Sequence, residues 1–349
     1  MLRSSTSTSS LALALALVAC SSAKPGRGPA RAVRPALPWT PAVIAHCGSG
    51  TPPAEGGGCA PAVDAALALL ARGGDPIDAV VAGAVVLEDD PRYNAGTGSA
   101  VRLDGHTVEM DAAVMDSSGR FGAVAGIEEV KNPVRVARAV ADTPNRLLAG
   151  DGATAFARAL GHPVFDPRRP ETLAEARTLR AHLVTGGPGI SEAWRRFDWR
   201  RAWNYELAPP DSAPPTAPAP PRPGGDTIGV LARSADGRFA AALSTGGWTV
   251  VLRGRVGDVP IPGAGLFAGP SGAVAGTGLG EKMIDLHLAR TVYGWLEAGM
   301  PAAEAVRRGV ELSGGEAALI AITATEAVAA ADPPMAWCTR AGAPGGQRQ

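Results

Sequence analysis

Eight prolines fall within the sixteen residues Ala208–Pro223. Proline lacks an N–H and fixes its own φ, so a run of this kind joins neither a helix nor a sheet ladder. It therefore divides the chain into two stretches that must fold around it. Gly224-Gly225-Asp226-Thr227 follows at once. The next two segments, Thr227–Arg233 and Arg238–Ser244, read as buried strands joined by a turn at Ala235-Asp236-Gly237. Unfoldable chain thus runs directly into a hairpin whose first residue is a threonine.

A threonine hydroxyl is a weak nucleophile unless a base stands beside it. One solution makes the threonine a chain terminus, so that its own α-amine, titrating near ~7.7, serves as that base. The chain must then be cut between Asp226 and Thr227, and the proline run is free to leave. Taken alone, the junction reads more readily as a β-branched residue opening a strand after an ordinary loop. The residues downstream favour the chemical reading. Ser244-Thr245-Gly246-Gly247 ends the second strand, and antiparallel pairing would return it beside Thr227. Arg255 and Asp258 follow in a glycine-rich loop, where an arginine fork can take a carboxylate and the aspartate an ammonium. Gly276-Thr277-Gly278-Leu279-Gly280-Glu281 runs from a strand into a helix start, where N–H groups and a hydroxyl suit an oxyanion. A phosphate loop is the competing idea, but no Gly-Lys-Ser/Thr follows.

The remaining pattern implies an α+β chain with sheets inside and helices outside. A strand is expected at Ala42–His46 and helices at Pro61–Arg72 and from Asp75-Pro76 to about Glu88. Strands are expected at Ala100–Leu103, Thr107–Met115 and Gly122–Ile127, and helices at Asn132–Ala141, Ala153–Leu160 and Glu171–Leu183. The second stretch adds a strand at Ala273–Gly276, helices at Glu281–Glu297 and Pro301–Leu312, and a strand at Ala317–Thr323. Lys+Arg and Asp+Glu both number 33, so no basic excess is available for nucleic acid.

The N-terminus reads as a targeting segment. Arg3 precedes the apolar run Leu11–Leu17, which is too short to span a bilayer. Leu17-Val18-Ala19-Cys20 resembles the lipobox of bacterial lipoproteins, which implies lipidation at Cys20, export, and a membrane-anchored protein facing the periplasm or cell surface. Residues 21–41 then form a flexible tether. Of the other cysteines, Cys47 and Cys59 could pair and leave Cys338 free, a point the spacing leaves open.

Several ordered motifs, taken together, resemble the N-terminal-nucleophile asparaginases. These are Gly225-Asp-Thr-Ile-Gly229, Ser244-Thr-Gly-Gly247, Gly254-Arg-Val-Gly-Asp258, Pro262-Gly-Ala-Gly265 and Thr277-Gly-Leu-Gly-Glu281, with Tyr93-Asn-Ala-Gly-Thr-Gly98 and Val108-Glu-Met-Asp-Ala-Ala-Val-Met-Asp116 in the first half. The family comprises isoaspartyl peptidase/plant-type L-asparaginase and glycosylasparaginase. The resemblance implies a four-layer αββα sandwich cut into an α subunit, residues 42–207 with a proline-rich end at 208–226, and a β subunit at 227–349. It makes Thr227 the nucleophile and Thr245 its supporting hydroxyl. Arg255 and Asp258 become the grip on the aspartyl group, with Gly246, Gly247 and Asn94 lining the site, and Thr277 and Gly278 the oxyanion hole. No cofactor is required for catalysis. Leu87, Glu88 and Tyr93 fall in a loop that wraps a structural sodium ion in several members. A dimer of αβ pairs is implied as well.

The expected reaction is hydrolysis of β-aspartyl amides, favouring isoaspartyl dipeptides and L-asparagine. Asp226-Thr-Ile and Pro260-Ile-Pro262 also occur in glycosylasparaginases, so N4-(β-N-acetylglucosaminyl)-L-asparagine is the alternative substrate. An inactive envelope lipoprotein of the same fold is a further alternative, opposed by the presence of Thr227, Arg255 and Thr277. His46-Cys47-Gly48-Ser49-Gly50 departs from the family's His-Gly-Gly-Ala-Gly, with Cys47 in place of a glycine. His46 is expected to be a hydrogen-bonded structural residue, and His106, His162, His182 and His287 belong to no constellation. Asp111 and Asp116 are expected to stabilise the loop behind the site. Gly247-Trp248-Thr249-Val250-Val251 is bulkier than the family's usual polar stretch; Trp248 is expected to pack, the alternative being that it reshapes the leaving-group side of the site.

Overall fold

The computed structural model describes residues 39–49, 51, 57–210, 227–332 and 335–342. The expected lipidation site at Cys20, the expected signal and most of the expected tether lie outside these residues. So do 211–226, which hold most of the proline run and Asp226. No helix among the described residues is long and apolar enough to cross a membrane.

The first stretch supplies β1 (Ala42–His46), α1 (Cys59–Leu70), α2 (Pro76–Asp89), β2 (Met110–Asp116), β3 (Phe121–Ile127), α3 (Pro133–Val140), β4 (Leu147–Ala149), α4 (Gly150–Ala159), α5 (Pro170–Thr185) and α6 (Glu192–Arg196). The second supplies β5 (Ile228–Arg233), β6 (Phe239–Thr245), β7 (Leu266–Gly269), β8 (Gly272–Gly278), α7 (Gly280–Leu286), α8 (Leu288–Glu297), α9 (Ala302–Leu312), β9 (Ala317–Ile322), β10 (Ala327–Ala330) and β11 (Trp337–Ala341). A seven-stranded sheet runs β11-β1-β5-β6-β2-β3-β4, and a four-stranded sheet runs β10-β9-β8-β7.

Alternate residues along each central strand serve two different cores. Val43 and Ala45 of β1, with Val230 and Ala232 of β5, pack under α1 and α2 together with Val63, Ala66, Val80 and Ala84. Ile44, Leu231, Phe239 and Leu243 point the other way, against Leu266, Ala275 and Ile320 of the small sheet. The far face of that sheet carries Val274, Leu319 and Ala321, covered by Leu288 and Val292 of α8 and by Val306 and Val310 of α9. Helices, sheet, sheet and helices thus form four layers. Burial on both faces explains why the strands read as unbroken apolar runs.

Local chemistry explains several element starts. The Asp75 carboxylate accepts from the Ile77 N–H at 3.2 Å, with Pro76 as the first helical residue. Three expectations change. Ala100–Leu103 joins no ladder. Glu281–Glu297 is two helices, because His287 takes φ 43° and breaks the run. Residues 39–41 of the expected tether belong to the fold: the Trp39 N–H donates to Ala235 O at 2.8 Å, and its ring meets Phe239 edge-on at 5.6 Å. The end of β1 is joined to the start of α1 by a Cys47–Cys59 disulfide, while Cys338 has no disulfide partner among the described residues.

Candidate active site

The β5–β6 register pairs Ile228 with Ser244, so Thr227 and Thr245 stand one step beyond that pair at the same end of the hairpin. Both are buried. On its other side Thr245 pairs with Asp111 of β2. Sheet stacking brings the end of β8, with Thr277 and Gly278, to the same place. Thr227, Thr245, Gly247, Trp248, Arg255, Gly257, Asp258 and Gly278 line one small pocket.

Each group has defined partners. The Thr245 hydroxyl oxygen accepts from the Gly247 N–H at 3.0 Å. Thr277 Oγ1 accepts from the Ser49 N–H at 3.2 Å, which leaves its own O–H free to donate. Gly278 has φ +135°, and a Cβ there would collide with Glu316 O, so glycine is required at this position. A Cβ on Gly280 would lie 2.8 Å from Arg255 Nη2 and 2.9 Å from Asp258 Oδ1, which places the cation and the carboxylate side by side. Arg255 is also forked to Glu281: Nε donates to Oε1 at 2.9 Å and Nη2 to Oε2 at 2.8 Å. Burial disfavours the Arg255 charge, and Glu281 more than offsets that, so the guanidinium pKa is raised. The pairing of Glu281 with Arg255 was not readable from the sequence, because it spans a loop and a helix start.

Two expected lining residues stand behind the pocket. Asn94 Nδ2 donates to Gly247 O at 2.6 Å, its Oδ1 accepts from the Ala100 N–H at 2.9 Å, and its carbonyl accepts from the Gly246 N–H at 2.8 Å. Gly246 is pressed against Asn94 and Ser99, leaving no room for a side chain. Both therefore shape the loop that carries Gly247. Arg102, buried and unremarked in the sequence, braces the same loop. It donates to the carbonyls of Gly246 and Trp248 and pairs with Glu109 at 3.4 Å. Glu109 in turn accepts from the Gly254 N–H at 2.9 Å, next to Arg255.

Asp111 fits its expected place, accepting from the Gly126 N–H at 2.8 Å and the Gly257 N–H at 3.3 Å. Burial pushes its carboxyl above the usual range. Asp116 does not. It pairs with Ala240, about 17 Å along the strand from Asp111, and it holds Ser118 and Arg120 instead. His46 also differs from expectation: both ring nitrogens lack hydrogen-bond partners among the described residues, and burial lowers its pKa to about 3. Trp248 is only partly packed. It is 46% exposed and joins none of the apolar clusters among the described residues.

The Glu88 and Tyr93 carbonyls face Gly96 and Gly98, where a Cβ would collide with them. Leu87 O accepts from the Asp90 N–H at 3.3 Å and has a second lone pair, and Tyr93 O accepts from the Ala95 N–H at 2.9 Å. Uncharged carbonyl oxygens of this kind fit a hard cation such as sodium.

The Asparaginase_2 family, described as asparaginase, matches residues 54–335. A protein of Thermococcus kodakarensis named plant-type L-asparaginase is 38% identical over 280 residues, covering 78% of this chain and 85% of its own. One of Pyrococcus abyssi with the same name is 38% identical over 242 residues, covering 69% and 72%. A zebrafish (Danio rerio) protein named isoaspartyl peptidase/L-asparaginase is 36% identical over 275 residues, covering 76% and 79%.

Proposed function

The chain belongs to the asparaginase family that matches residues 54–335, and on that premise we propose that it is a self-cleaving threonine amidohydrolase acting on β-aspartyl amides, with isoaspartyl dipeptides and L-asparagine as substrates. The observation that carries the reading is the convergence of Thr227, Thr245, Arg255, Asp258 and Gly278, from separate segments, on one pocket.

In the maturation step, Thr227 Oγ adds to the carbonyl carbon of Asp226. The peptide C–N bond breaks as its nitrogen takes a proton, and water hydrolyses the resulting ester. Thr227 then carries a free α-amine. In turnover that amine accepts the hydroxyl proton while Oγ attacks the β-carbonyl carbon of the substrate. The Thr277 O–H and the Gly278 N–H stabilise the oxyanion. The amide C–N bond breaks, and the departing amine leaves with the proton returned from the α-amine. Water adds to the β-aspartyl ester, aspartate departs, and the Thr227 hydroxyl is restored. Arg255 and Asp258 hold the α-carboxylate and α-amine throughout. Glu281 occupies the Nε edge of the guanidinium and so orients the remaining N–H groups toward the pocket.

Lipidation at Cys20, export, sodium in the loop of Leu87, Glu88 and Tyr93, and pairing of αβ units complete the proposal; their support is the sequence and, for sodium, the carbonyl geometry. A denaturing gel with N-terminal sequencing tests the core of it. The mature protein should give two fragments, one starting at Thr227, and Thr227→Ala should remain a single inactive chain. A wild-type chain that hydrolyses β-Asp-Leu or L-Asn without being cut would overturn the mechanism. Faster release of aspartate from N4-(β-N-acetylglucosaminyl)-L-asparagine than from either would move the enzyme to the glycosylasparaginase branch.

A further inference from the structure

We propose that Trp248 selects the leaving group, favouring β-aspartyl peptides whose released amino acid carries an aromatic or long apolar side chain. The inference rests on the amidohydrolase reading and concerns the same pocket.

The pocket lining joins a charged pair, Arg255 and Asp258, to one large apolar side chain, Trp248. Arg255 and Asp258 flank Gly280. With the α-carboxylate and α-amine held there and the β-carbonyl at Thr227, the group on the far side of the scissile amide must point away from them. Of the remaining lining residues, Trp248 is the one with a large apolar side chain. Trp248 is half-exposed, so its ring stands where the pocket opens to solvent.

That exposure belongs to the side chain and not to a loose loop. Thr249, Val250 and Val251 are buried immediately after it. The Trp248 carbonyl accepts from Arg102 at 3.0 Å, and the Gly247 carbonyl accepts from Asn94 at 2.6 Å. Among the described residues the indole has no aromatic or cationic partner of its own. A fixed apolar plate with a free face therefore borders an otherwise polar pocket. Ammonia or glycine leaving from Thr227 would gain nothing from it, whereas a phenylalanine or leucine side chain would remove apolar surface from water against it.

The test uses the matured enzyme and compares kcat/KM for β-Asp-Phe, β-Asp-Lys, β-Asp-Gly and L-Asn. In the wild type, β-Asp-Phe should exceed β-Asp-Gly by about tenfold, the scale of one aromatic contact. Trp248→Ala should bring that ratio close to one, and Trp248→Phe should keep most of it. A wild-type ratio near one, a ratio unchanged in Trp248→Ala, or a stronger preference for β-Asp-Lys than for β-Asp-Phe would overturn the proposal while leaving the amidohydrolase reading intact. Failure of the wild type on all the substrates would overturn the parent reading and this one with it. If Trp248→Ala does not mature, the wild-type ratio and Trp248→Phe still decide.

Discussion

Burial drives Glu88 and His46 in opposite directions. Glu88 Oε1 accepts from the Ser244 hydroxyl at 2.6 Å and the Val134 N–H at 3.0 Å, yet burial outweighs both and raises its pKa from 4.5 to about 7. Between those values the folded chain keeps a proton that the unfolded chain has released, so this group lowers stability as pH rises. His46 does the reverse: from pH 6.5 down to about 3 the unfolded chain takes a proton that the folded chain refuses, so stability falls as pH falls. Glu88→Gln should therefore remove a loss on the order of 3 kcal/mol between pH 4.5 and 7. Denaturant unfolding of the uncut Thr227→Ala chain across pH would measure it, and an unchanged pH slope would sink it. At this scale Thr227, Arg255 and Asp258 could be singled out because each sits in a short motif whose residue types suggest a chemistry, and the structure brings all three to one pocket. The partnerships of Arg255 with Glu281 and of Arg102 with Gly246 and Trp248 join distant segments, so no local pattern could announce them.

The hairpin of β5 and β6 was readable because its apolar runs flank an Asp-Gly turn. Helices α7 and α8 read as one because Leu286 and Leu288 carry the apolar spacing straight across His287. Strands β4, β7, β10 and β11 are three to five residues long, and each is recruited by a partner strand and not by its own pattern. The Cys47–Cys59 disulfide is an element-scale device. It ties β1 to α1, and Ser49, two residues past Cys47, donates to Thr277 Oγ1. Reduction, or a Cys47→Ser/Cys59→Ser variant, should lower the melting temperature by roughly 5 °C, as expected for a loop of this length. It should also lower kcat more than it raises KM, because Thr277 would lose its anchor while Arg255 and Asp258 keep theirs. Steady-state kinetics beside a thermal melt would check both, and a change confined to KM would contradict the link to Thr277.

Across the whole molecule the strands of the two stretches interleave. In the large sheet β1 lies between β11 and β5, and β6 lies between β5 and β2. Two buried ladders, β1 with β5 and β2 with β6, thus cross from residues before the proposed cut to residues after it. The cut fragments should consequently co-elute in native size-exclusion chromatography and separate only in denaturant. Separate elution of fragments from an active sample would contradict this arrangement.

The sequence by itself determined what is local: the proline run that no ladder accepts, the hairpin with a threonine at its head, and the arginine and aspartate three residues apart. Those features depend on backbone chemistry and short-range spacing, which a linear chain carries intact. The tertiary structure alone decided which strands lie side by side, that Asn94 and Gly246 brace the pocket loop from behind, and that Trp248 lines the pocket while staying half-exposed. These outcomes depend on which distant surfaces bury one another, and that is settled only when the two sheets stack.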